Sequence, residues 1–113
     1  MEYPQVSRAG EQPVKQLAPG ESRSILAYGP ELMFAEVYFE TGRVSALHSH
    51  PHAQITYILE GEFVFTVGGP DGERVHVRKG DSLYNAPNCP HFCECIQKGT
   101  VLDTFTPMRE DFV

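Results

Sequence analysis

At 113 residues, with 41% hydrophobic and 21% charged residues, the chain is long enough for one globular core and too short for two. A formal net charge of -6 and the lack of any basic run exclude the electrostatic footprint of a nucleic-acid-binding protein. No apolar stretch reaches membrane-spanning length, and the opening residues MEYPQVSRAGEQP have no apolar signal core, so a cytoplasmic protein with no membrane partner is expected.

Residues 1–22 carry Pro4, Gly10, Pro13, Pro19 and Gly20 among scattered apolar residues, which predicts an extended arm ahead of a single domain over 23–113. Short strands are predicted from Arg23 to Tyr28 and from Leu32 to Glu40, the second rich in aromatic and β-branched residues. A third would place Val44, Ala46, His48 and His50 on one face and Ser45, Leu47 and Ser49 on the other, until Pro51 breaks it. Gln54 to Leu59 and Glu62 to Val67 read as a strand pair turning at Glu60-Gly61, where glycine can take a positive φ. After the turn Gly68 to Gly72, a strand from Arg74 to Arg78 should face Val75 and Val77 inward and His76 outward. Turns at Lys79-Gly80-Asp81 and Asn85-Ala86-Pro87-Asn88 follow. Two last strands are predicted from His91 to Gln97 and from Thr100 to Thr106, and Pro107 then releases a tail, MREDFV. Apolar residues nowhere recur at helical spacing, so the fold class is all-β, a sandwich or barrel.

His48 and His50 sit at i and i+2, the spacing that aims two strand residues at one point, and His91 follows a proline-rich turn. Imidazoles so arranged suit a divalent transition metal, with Zn, Ni, Fe and Mn all acceptable to such donors. Pro51 interrupts the alternation that would aim His52, which reads as a surface-turn residue. Cys89, Cys93 and Cys95 match no common paired-thiol zinc spacing and read as reduced packing residues. In VLDTFT, alternation groups Asp103 with Val101 and Phe105. Facing inward, Asp103 would be a buried acid/base candidate; on an edge strand it would be a solvated aspartate.

The spacing Gly42, five residues, His48-x-His50, three residues, Gln54, six residues, Gly61 resembles the first cupin motif, with Gln54 where cupins usually carry glutamate. Gly80-Asp81 through Pro87-Asn88-x-Pro90-His91 resembles the second, with Asn88 where a glycine is often found. That resemblance implies a double-stranded β-helix, or jelly-roll barrel, with a metal at its mouth held by His48, His50, Gln54 and His91. A neutral amide in place of a carboxylate would leave the full charge on the ion, which favours Lewis-acid over redox chemistry. Small cupins often pair, so a homodimer is expected, with the arm covering a sheet edge.

The ending LDTFTPMREDFV, with HPHAQITYILEGEFVFTVGG before it, is similar to one cupin group, the KdgF-like uronate-ketonising proteins of pectin and alginate breakdown, from about Arg23 to Val113. This implies a metal-dependent isomerase or lyase-type enzyme that converts 4,5-unsaturated monouronates to linear 4-deoxy-5-keto uronates, a small anionic sugar substrate. It also implies catalytic positions at Asp103 and Phe105, and Arg109 on the substrate carboxylate. Cys93 and Cys95 share the face of His91 and would line the pocket, open to oxidation. The competing readings are a small cupin dioxygenase, against which Gln54 and the Asp103/Arg109 pair count, and a non-catalytic sugar- or metal-binding cupin.

Overall fold

The computed structural model describes residues 5–113, so the first four residues of the expected arm lie outside it. Seven strands form one rolled antiparallel sheet: β1 (Val14–Ala18), β2 (Glu21–Gly29), β3 (Leu32–Phe39), β4 (Ala53–Val67), β5 (Glu73–Arg78), β6 (Ser82–Asn85) and β7 (His91–Thr106). The order is β1-β2-β3-β7-β4-β5, with β6 on the first half of β4. Part of the expected arm is therefore a strand: β1 pairs with β2 and caps that edge.

The strand pair expected to turn at Glu60-Gly61 is instead one strand of 15 residues, and the last two expected strands are one of 16. Gly61 does take a positive φ of 92°, but it serves a bulge and not a hairpin. A glycine with positive φ satisfies either geometry, so local sequence does not separate them. Opposite it, a Cβ on Gly99 would run into the Glu60 carbonyl, and one on Gly61 would come within 2.6 Å of the Gln97 oxygen. Both glycines are needed for β4 and β7 to bend together. Buried positions on β4 are Gln54, Thr56 and Ile58 before the bulge, then Phe63, Phe65 and the neighbouring Thr66 after it. The extra residue changes which parity faces in.

The predicted strand over Val44 to His50 is also corrected. This segment runs beside β7 with only isolated bridges, Val44 with Glu94 and His48 with His91. The Cys93 N–H donates to Ser45 Oγ at 2.9 Å, so a side chain interrupts the backbone ladder. Val44 is consequently exposed, while Ser45 faces the interior.

Between the two halves of the roll, Val37, Phe39, Ile58, Phe63, Phe65, Val77, Cys93, Cys95 and Val101 form the core. Each large side chain fully buried there stabilises the fold by about 1.5–3 kcal/mol relative to exposure. Val77 is buried and His76 exposed, as alternation on β5 requires.

Candidate metal centre

The register across the sheet decides what lies at the other end of the roll. Ala35 of β3, Asp103 of β7 and Thr56 of β4 are successive cross-strand partners, and Gln54 pairs with Phe105 one step nearer the mouth. Residues directly opposite share a face, so all five point inward. Asp103 is therefore the buried residue and not the solvated one, at 9% exposure.

Segment 42–50 and the turn before β7 bring the histidines to this row. His48 and His91 exchange backbone hydrogen bonds in both directions, at 3.1 and 2.9 Å. Asn88, the residue at the usual glycine position, takes a φ of 65°, and its N–H donates to the His50 carbonyl at 2.7 Å. Asparagine tolerates this left-handed conformation better than most residues, which explains how it serves there. His48, His50 and His91 consequently offer ring nitrogens that all lie within 4.8 Å of one another. His48 stands at the open rim while His50 and His91 are buried.

The tautomers follow from the partners. Nδ1 of His48 donates to the Ala46 carbonyl (2.9 Å), that of His50 to the His52 carbonyl (3.0 Å) and that of His91 to the Cys89 carbonyl (2.9 Å). A carbonyl only accepts, so each Nδ1 carries the proton and each Nε2 is left with a lone pair. Gln54 is fixed as tightly. Its amide N–H groups donate to Thr56 Oγ1 at 3.0 Å and Asp103 Oδ1 at 3.1 Å, which turns Oε1 toward His50 Nε2 at 2.8 Å.

Two lone pairs facing each other at that distance repel unless a positive charge joins them. Burial lowers the His50 pKa, opposing an imidazolium. Burial likewise pulls His91 down to about 4, and its Nε2 is buried with no partner. The residues present therefore fit a bound cation, held by bare imidazole nitrogens whose rings are oriented from behind by backbone carbonyls.

Asp103 Oδ1 accepts from Thr56 Oγ1 at 2.6 Å as well as from Gln54. Burial raises the Asp103 pKa, against the pull of these bonds and of the nearby Arg109 charge. Oδ2 makes no hydrogen bond among the described residues, and Asp103 lines a cavity of about 220 Å³ together with His48, Gln54, His91, Phe105 and Arg109.

The tail does not leave the domain. It folds back over the mouth, with Phe112 edge-on to Phe105 at 5.5 Å and Phe105 edge-on to His50 at 5.7 Å. Arg109 is 9% exposed and bound side-on by Asp111, Nε to Oδ1 at 3.0 Å and Nη2 to Oδ2 at 2.8 Å. His52 is not a surface-turn residue. It is half-buried, and its Nε2–H donates to the Met108 carbonyl at 3.1 Å, pinning the tail. Of the thiols, Cys93 reaches the cavity wall and Cys95 lies in the core. Sequence reasoning passed over Thr56, Phe112 and Arg23, the last also lining the cavity. The alternation of β4 pointed to Thr56; no spacing signal marked the other two.

Residues 35–103 match the cupin domain family, Cupin_2. The pectin degradation protein KdgF of Dickeya dadantii is 33% identical over 105 residues, covering 91% of this chain and 93% of that one. Among solved structures, an RmlC-like cupin from Shewanella frigidimarina is 34% identical with a TM-score of 0.89, covering 100% of this chain and 97% of its own. KdgF from Halomonas sp. is 29% identical with the same TM-score of 0.89, covering 96% and 98%.

Proposed function

The chain belongs to the cupin family, and from that premise we propose that it is a metal-dependent enzyme that opens and ketonises 4,5-unsaturated monouronates from pectin or alginate breakdown. The observation that carries this reading is the bond network that locks Gln54 and Asp103 together beside three bare imidazole nitrogens. Similarity to KdgF proteins supports the substrate class. A cavity of about 220 Å³ suits a monosaccharide better than a polymer segment, since sites for drug-sized ligands run to roughly 300–1,000 Å³.

His48, His50, His91 and Gln54 would hold the ion. When bound, it supplies Lewis-acid polarisation of substrate oxygens, undiminished by any charged ligand. Asp103 moves the proton. Its Oδ1 is pinned by Thr56 and Gln54, so the carboxyl group cannot rotate, and Oδ2 is the atom that gives or takes a proton at the opening enol ether. The raised pKa suits that role, because a group poised nearer neutrality transfers protons in both directions. Phe105 walls the pocket and limits how the sugar ring lies. Arg109 adds positive charge opposite, although a bidentate grip by its Nε–Nη2 edge would first have to displace Asp111.

The test is to incubate metal-loaded protein with unsaturated uronates released by a polysaccharide lyase, and to follow the double-bond ultraviolet absorbance under nitrogen and in air. Loss at equal rates under both is expected. Oxygen-dependent loss would point to a dioxygenase, and binding without turnover to a carbohydrate-binding cupin.

A further inference from the structure

An arginine inside a small roll needs a reason. Arg23 lies on β2 directly opposite Val37 of β3, which is opposite Val101 of β7. This is an inward row, and Val37 and Val101 belong to the apolar core. Arg23 is only 9% exposed, as buried as Asp103 and Arg109. A hydrophobic residue at such a position would cost nothing to desolvate, whereas burying a guanidinium is costly unless something compensates it.

Nothing in the described chain does so by ion pairing. The carboxylates whose charge reaches it are bonded elsewhere, Asp111 to Arg109 and Glu21 to Arg43 Nε at 2.9 Å. Arg23 has neither a salt bridge nor a side-chain hydrogen bond among the described residues. What it has is a stacking partner. Its guanidinium carbon sits 3.5 Å from the centroid of the Phe112 ring, which also lies 4.2 Å from Arg109. Stacking fixes the plane of the guanidinium without using its N–H groups, since these point outward in that plane. Arg23 also lines the cavity that contains His48, Gln54, His91 and Asp103.

We propose that Arg23 is the anion-binding residue of this cavity, taking the carboxylate of the sugar acid on its unpaired guanidinium while Asp111 holds Arg109 side-on against the wall. The inference rests on the uronate reading above and deepens it. It divides labour between two arginines that both lie over one aromatic ring. Arg109 arrives with a carboxylate already in place; Arg23 arrives with its whole donor edge open. A planar carboxylate matches that edge bidentately.

The experiment compares metal-loaded wild type, R23Q and R23K by calorimetric titration with galacturonate and with its uncharged methyl ester. KM and kcat on unsaturated galacturonate are measured in parallel, and thermal unfolding confirms that each variant is folded. R23Q should weaken galacturonate binding and raise KM about 30-fold while leaving methyl-ester binding and kcat within about threefold. R23K, keeping charge but losing the fork, should fall between. Galacturonate binding unchanged in R23Q would overturn the assignment, and so would equal loss of both ligands, which would mean a structural role. So would failure of the wild type to prefer galacturonate over its ester. If wild type prefers galacturonate through Arg23 yet does not convert the unsaturated sugar, the uronate-ketonising reading fails and the anion site stands. If it converts the sugar with KM unmoved in R23Q, the reverse holds.

Discussion

The two ends of the roll are built from the same strands and carry opposite chemistry. On β4 the inward residues run Gln54, Thr56, Ile58, Phe63, Phe65, and on β7 they run from Phe105 and Asp103 to Val101 and then Cys95. One end is filled by hydrocarbon that packs without polar partners. The other holds amide, hydroxyl, carboxyl and imidazole groups, each fixed by a hydrogen bond behind it. The closed end provides stability and the open end spends some of it on burying a carboxylate and an arginine. Activity and stability should therefore separate along a single strand.

The strongest way to break that contrast is at Asp103. Asp103→Asn keeps an oxygen that can accept from Thr56 and Gln54, so metal content should be unchanged while kcat falls by about 10²–10⁴. A raised carboxyl pKa means that ionised Asp103 destabilises the fold at neutral pH, so the variant should melt no lower than wild type. Wild-type turnover, or a loss of metal, would refute the proton-transfer role. At the closed end the effect should invert. Phe63 is fully buried, and Phe63→Ala should cost about 3–5 kcal/mol in urea unfolding while metal stoichiometry per folded molecule stays the same.

The thiols sharpen the boundary between the ends. Burial pushes Cys93 up to about 12 and Cys95 to about 11, while Cys89 is partly exposed. The unfolded thiols ionise near 9 and the folded ones do not, so stability is complete below that pH and declines as pH rises from 9 toward 11. In native protein at pH 8, iodoacetamide followed by mass spectrometry should mark Cys89 and leave the other two unmodified, since the thiolate is the reactive form. Rapid labelling of Cys93 would show that the cavity end opens. The smallest effect belongs to His52. His52→Ala removes one bond to the tail and should cost about 1 kcal/mol with metal affinity unchanged; lost affinity would make His52 a ligand.

Much of the open end was legible because its signals are local. His48 and His50 two residues apart, His91 behind a turn, and the alternation that carries Asp103 inward are all short-range patterns. What escaped depended on distant partners. His52 is oriented by Met108, Arg23 by Phe112, and the continuity of β4 through Gly61 by Gly99 on another strand. The Ser45 hydroxyl that breaks the expected strand does so by bonding Cys93, again far along the chain. Periodicity reports which face a residue occupies, and it is silent about what waits there.

The bent ribbon of β4 and β7 has a kinetic consequence. It joins Ala53 to Thr106 at one tip and Val67 to His91 at the other, with β5 and β6 folded between. Pairing of Val67 with His91 closes the smaller loop and can form first, but Gln54 meets Phe105 only when the whole ribbon has zipped past its paired glycines. Three histidines and a glutamine drawn from both strands and the segment before them cannot converge in a half-zipped chain. Metal capture during refolding should therefore trail the appearance of β-structure, and the ion would mark the finish of folding and not its start.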